Sequence, residues 1–330
     1  MESNYLPDQG PDKAQREKNW QAAKGLQAVD GLETSTYLSQ VAGKHIDGSI
    51  SAYEASALID SYYETQQARE ENRGYEEADK VAARINEVLS ETGFTLSLEE
   101  MLGIHRRLFE GILTDAGQIR TRNFIKHEWV LDGDTVTYGN AYGLSSTVET
   151  ILRSERFTQF RQLDEEETVT HIALFASRLW QAHPFSEGNT RTTAVFVIKY
   201  LRTLGLEVDN ALFEAHSRYF RDALVRSNYQ NIRKGIYRTN SFLIAFFENL
   251  LLGAAHPLKS RALNVRAEEA NLSDMVSDKI VSFIQQDPSI TRKKIAEHLG
   301  VSVKTIERQL KKMPNVHYEG PAKGGQWIIE

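Results

Sequence analysis

Apolar residues recur at helical spacing along most of the chain. Trp20, Ala23, Leu26 and Val29 step by three, and the segment DGLETS then breaks the pattern. Shorter amphipathic runs at 37–42 and 50–63 complete a small three-helix unit over 19–65. A charged stretch, 66–76, reads as a linker or an exposed helix start. Helices are predicted at 78–89, 98–109, 143–153, 166–182, 193–204, 211–228 and 241–253. Within 166–182, Ile172, Phe175, Ala176, Leu179 and Trp180 make an apolar stripe. The 193–204 run is apolar on most faces, as a central buried helix requires. Only one segment carries a hairpin signal: HEWVL and TVTY flank Asp132-Gly133-Asp134, within 124–138. An isolated hairpin is barely stable alone, so this one reads as a functional flap rather than a core element.

The last sixty residues have a different texture. ITRKKIAEHLGVSVKTIERQLKKM has the layout helix, three-residue turn, helix, with Ala296, Leu299, Val301, Ile306 and Leu310 as internal packing. Two short strands around a Gly-rich tip follow as a wing. Segment 271–330 holds nine Lys/Arg against seven Asp/Glu, a net of +2, so the rest of the chain carries −8 of the total of −6. Lys304, Thr305, Arg308, Lys311 and Lys312 lie on or just after the second helix, where cations suit phosphate contacts. A protein-docking role for the wing is the alternative.

The expected fold class is mainly α: a helical core with a hairpin flap, plus a small winged helix. The boundaries are a disordered tail 1–18, a helical module 19–65, a core domain 66–255, a linker 256–270 and a winged helix-turn-helix 271–330. The composition is that of an ordinary globular protein, with 41% hydrophobic and 25% charged residues in 330. Cysteine is absent, which excludes disulfides, zinc–thiolate sites, iron–sulfur clusters and a cysteine nucleophile. No membrane or export segment is visible, so a cytoplasmic protein is expected.

The densest chemistry lies in His183-Pro-Phe-Ser-Glu187-Gly188-Asn189-Thr190-Arg191. Pro184 and Gly188 keep it from being helical, so it should form a loop feeding the N-terminus of a buried helix. Such an N-terminus offers unpaired N–H groups and the positive dipole end to an anion. Arg191 adds a forked cation, Glu187 a ligand for a hard divalent ion, and His183 a proton acceptor near neutral pH. Together they describe phosphoryl or nucleotidyl transfer. A helix-connecting loop with a packed histidine is the bland alternative. A Walker loop is absent.

His183–Arg191 resembles the Fic signature, H-P-F-x-[DE]-G-N-x-R, and residues 80–255 resemble the helical Fic core. The resemblance implies a protein adenylyltransferase moving AMP from ATP, with Mg²⁺, to a hydroxyl of a target protein or of itself. His183 would take the proton, Glu187 would hold Mg²⁺, and Gly188, Asn189, Thr190 and Arg191 would cradle phosphates. Asn228 and Tyr229 would face the nucleoside. Ile125, Lys126, His127, Glu128 and Trp129 would form the flap that clamps the target by strand addition. A homodimer is also within the family's range. The common signature continues G-N-G-R-x-x-R; here Thr190 replaces the third small residue and Ala194 the second arginine. That brings the chain nearer the Doc-like kinases, although Gly188 favours AMP transfer. A DNA-binding regulator with a nucleotide-sensing core is a reading from another class. Residues 19–65 resemble the antitoxin-like module that some Fic proteins carry in cis. The nearest counterparts of its inhibitory glutamate are Asp30 and Asp47. With the second arginine missing, inhibition through that salt bridge is expected to be weak or absent.

Overall fold

A computed structural model describes residues 10–208, 210–321 and 324–329, with only the backbone described over 267–275. The chain divides into two units, Met1–Ser260 and Arg261–Glu330. Residues 1–9 of the expected disordered tail lie outside the described part. The rest of that tail is not disordered, because Asp12 caps a helix by accepting from the Gln15 backbone N–H.

The first unit is mainly helical: α1 (Lys13–Gly25), α2 (Thr36–Ile46), α3 (Ala52–Tyr62), α4 (Gln66–Glu71), α5 (Glu76–Ser90), α6 (Leu98–Phe109), α7 (Leu144–Arg156), α8 (Glu165–Ala182), α9 (Asn189–Thr203), α10 (Ala211–Ser227) and α11 (Ser241–Leu252). The charged 66–76 stretch therefore contains a short helix. Side-chain caps explain most of the starts. Ser51 with Glu54 and Asp164 with Glu167 are full capping boxes, and Ser35 and Ser97 each accept from the backbone three residues on. Helix α9 is the centre: every residue from Asn189 to Leu201 is buried. Helices α5, α6 and α8 pack around it.

Helices α1–α3 are fused to this core. α1 lies on α5 and α10 so closely that a Cβ on Gly25 would sit 2.3 Å from the Glu214 Cα. Buried Asp79 of α5 accepts hydrogen bonds from the Ser35 N–H (2.8 Å), the Ser35 hydroxyl (2.5 Å) and the Tyr63 hydroxyl (2.7 Å). Burial raises the Asp79 pKa, and these donors oppose the rise.

The second unit contains α12 (Val265–Gln286), α13 (Arg292–Leu299), α14 (Val303–Leu310), β1 (Val316–Glu319) and β2 (Gln326–Ile329). The expected linker is thus helical from Val265. The strands pair antiparallel, with Val316 opposite Ile329. The core of this unit includes Ile280, Ile284, Ile295, Ile306 and Trp327. The Trp327 indole N–H donates to the Ile290 carbonyl at 2.9 Å, as a buried indole must.

Candidate active site

The His183–Arg191 segment joins α8 to α9 and is bounded by two left-handed residues, His183 (φ 51°) and Gly188 (φ 72°). The first ends α8, and the second starts α9 with no side-chain cap. The opening N–H groups of α9 therefore have no intrahelical acceptor. Gly188 is required for two reasons. Its φ disfavours a side chain, and a Cβ there would meet the Phe109 ring at 2.4 Å.

His183 is buried, with Nδ1 3.2 Å from the Trp180 carbonyl. A carbonyl only accepts, so Nδ1 carries the hydrogen and Nε2 presents its lone pair. Burial pushes the His183 pKa down to about 3. The hydrogen bond to Trp180 opposes that shift, and the charges of Lys126, Arg120 and Arg221 add to it. The Tyr138 ring lies 4.1 Å from the imidazole.

Two residues that sequence reasoning missed hold this loop in shape. Arg120 donates to the carbonyls of His183 (2.7 Å), Arg122 (2.8 Å) and Gly139 (2.5 Å). His105 stacks on Phe185 at 3.7 Å, accepts from the Gly117 N–H at 2.8 Å and faces the Glu187 carbonyl at 3.2 Å. Burial lowers its pKa to about 4, which keeps it neutral. Asn189 staples the loop from within: its side chain accepts from the Phe185 N–H (2.9 Å) and donates to the Phe185 carbonyl (2.7 Å). Thr190 accepts from the Trp180 indole at 3.0 Å. Both side chains are structural members of the loop.

Residues 95–201 match the model of the Fic/DOC family. That match spans about a third of the chain. Residues 279–313 match a winged helix-turn-helix DNA-binding model. Among solved structures, a Fic family protein from Desulfovibrio desulfuricans G20 aligns at 13% identity and a TM-score of 0.47, over 97% of this chain and 88% of that one. No curated protein matches the chain.

Arg191 of the Fic loop is buried and already engaged. Its guanidinium lies 2.9 Å from Asp30, 2.9 Å from Glu77 and 3.2 Å from Gln27, and 4.7 Å over the Phe109 ring. The low expectation of inhibition rested on the missing second arginine. The structure instead pairs Asp30 with the first arginine. Asp47 is elsewhere, on the surface, paired with Lys13 at 2.8 Å.

The flap also departs from the sequence reading. It is a minimal hairpin with one antiparallel bridge, His127 to Thr135. Trp129–Leu131 forms a 3-10 turn in place of the expected strand. The cause is packing: Val130 and Leu131 are fully buried, and buried Glu128 pairs with Arg221 at 2.7 Å. The Trp129 indole donates to Asp222 at 3.0 Å, and the His127 ring lies 2.7 Å from the Gly133 carbonyl. Ile125 points outward, 70% exposed. Lys126 reaches back to Glu187 at 3.3 Å, a partner distant in sequence. Asn228 donates to Ser177 and to the Leu224 carbonyl, and Tyr229 to Asp134 at 2.7 Å. Both serve packing and the flap tip in this structure.

Proposed function

We propose that the Fic domain is a protein adenylyltransferase. The target hydroxyl oxygen attacks the α-phosphorus of ATP, the bond to the β-phosphate oxygen breaks, and pyrophosphate leaves. The hydroxyl proton passes to His183 Nε2. The observation that carries the reading is the His183 tautomer: Nδ1 is committed to the Trp180 carbonyl, and Nε2 is left as an acceptor. A pKa of about 3 makes a weak base at pH 7. The negative charge of bound triphosphate would offset Lys126, Arg120 and Arg221 and raise it.

Among the described residues there is no cluster of three or more acidic or histidine ligands. The half-exposed Glu187 is a single carboxylate at the loop. That donor set fits Mg²⁺, which is held through one or two carboxylates plus substrate phosphates. The ion would neutralise phosphate charge as pyrophosphate departs. Asp30 and Glu77 occupy the guanidinium that the phosphates would need, so we assign them a restraining role on nucleotide entry.

Incubation with Mg²⁺ and ATP labelled at the α- or the γ-phosphate tests the reading. Protein retaining α-label, with the mass gain of AMP, is expected. His183→Ala should abolish this while ATP still binds. Retention of γ-label would move the domain to the kinase branch.

For the second unit we propose DNA binding. Lys304, Arg308, Lys311 and Lys312 are exposed on and just after α14, and Thr305 is half-buried behind them.

A further inference from the structure

A second hairpin follows α10. Asn231 and Ile236 form an antiparallel bridge around the 3-10 turn Ile232–Lys234. This tongue exposes Ile232 (68%) and Tyr237 (65%), and the cations Arg233, Lys234 and Arg238 are exposed beside them. None of the three cations sits in an ion pair among the described residues. No acidic residue stands between Asp222 and Glu248, in a chain of net charge −6. The tongue is joined to the flap, since Tyr229 at its base donates to Asp134 at the flap tip at 2.7 Å. Ile125 on the flap is also exposed, so the two linked hairpins both present apolar side chains to solvent. Exposed apolar groups beside cations that form no close ion pair mark a surface for a partner carrying acidic and apolar groups.

We propose that the tongue is a docking surface for an acidic segment of the target protein, lying alongside the flap. This rests on the reading of the flap as target-facing. Charge favours a peptide over a nucleic acid. Asp134 at the flap tip is held ionised by Tyr229 and the Thr135 N–H, with the nearby charge of Lys234 adding to the effect, and Asp132 beside it is exposed. Carboxylates there would repel a continuous phosphate backbone. A peptide can place its own side chains to avoid them.

The test uses the full chain without nucleotide and a fluorescein-labelled peptide of alternating Glu and Tyr, followed by anisotropy. Binding is expected, with a peptide of alternating Gln and Tyr weaker. Replacing the three cations together (Arg233→Glu, Lys234→Glu, Arg238→Glu) should raise Kd about tenfold or more, and added salt should weaken wild-type binding. The Arg→Gln and Lys→Gln series serves if the reversal fails to fold. Ile232→Ser with Tyr237→Ser should weaken binding while leaving its salt dependence in place. The proposal falls if the acidic peptide does not bind, or if the charge changes leave its Kd unmoved. It also falls if they abolish binding of a single-stranded oligonucleotide instead. Because no nucleotide is present, failed AMP transfer would leave this result standing. Failed peptide binding beside intact transfer would strike only the tongue.

Discussion

The His183–Arg191 loop depends on single residues whose roles are steric or tautomeric. Gly188→Ala combines a left-handed backbone, which costs a side chain about 1–2 kcal/mol, with a collision at Phe109, which adds about 1–3 kcal/mol. Stability should fall by about 2–5 kcal/mol in urea melts, and Phe109→Leu in the same chain should restore part of it. His183 and His105 are buried neutral, with pKa values of about 3 and about 4. In the unfolded chain both protonate near pH ~6.5, so unfolding takes up protons below that pH. Their depressed native pKa values thus give stability that is present above ~6.5 and is lost as pH falls toward 4. Each histidine should contribute about 1.4 kcal/mol per pH unit over that range. His105→Gln should flatten the slope of urea stability against pH by one proton, and an unchanged slope would refute the assignment.

At the scale of elements, the 3-10 turn Leu26–Asp30 that follows α1 meets the start of α9 through Arg191. Removing one carboxylate should loosen that contact without destroying it, since Glu77 and Gln27 remain. Asp30→Asn is expected to cost about 1–3 kcal/mol of stability and to tighten Mg²⁺–ATP binding by about tenfold or more, measured by calorimetry. Weaker ATP binding would show that Asp30 supports the site rather than restrains it. Helix positions were legible because capping residues and apolar spacing are local; the run predicted at 98–109 is α6 itself. The signature loop was legible for the same reason. Its supports were not. Arg120 meets His183, Glu128 meets Arg221 and Asp30 meets Arg191 across stretches of chain that carry no local signal. The strand predicted over HEWVL is instead a 3-10 turn because its β-prone side chains are buried, with Val130 and Leu131 in the core.

For the whole molecule, the chain divides into two units. The first holds α1–α11 as one body, the N-terminal helices included, because Asp79 and Gly25 bind them to the helices around α9. No helix among the described residues is long and apolar enough to cross a membrane. In the second unit, the double change Lys304→Ala with Arg308→Ala should lower DNA affinity and reduce the slope of log K against log salt by about 2. The slope would be unchanged if neither residue meets a phosphate.

The half-exposed Trp129 gives the flap an optical handle. The chain has four tryptophans, and the other three, Trp20, Trp180 and Trp327, are buried. They stand in the N-terminal helices, beside the signature loop and in the winged helix. Acrylamide should therefore quench the emission of Trp129 preferentially. A target segment seated on the flap would shield that indole and shift its emission to the blue, reporting occupancy before any bond is made.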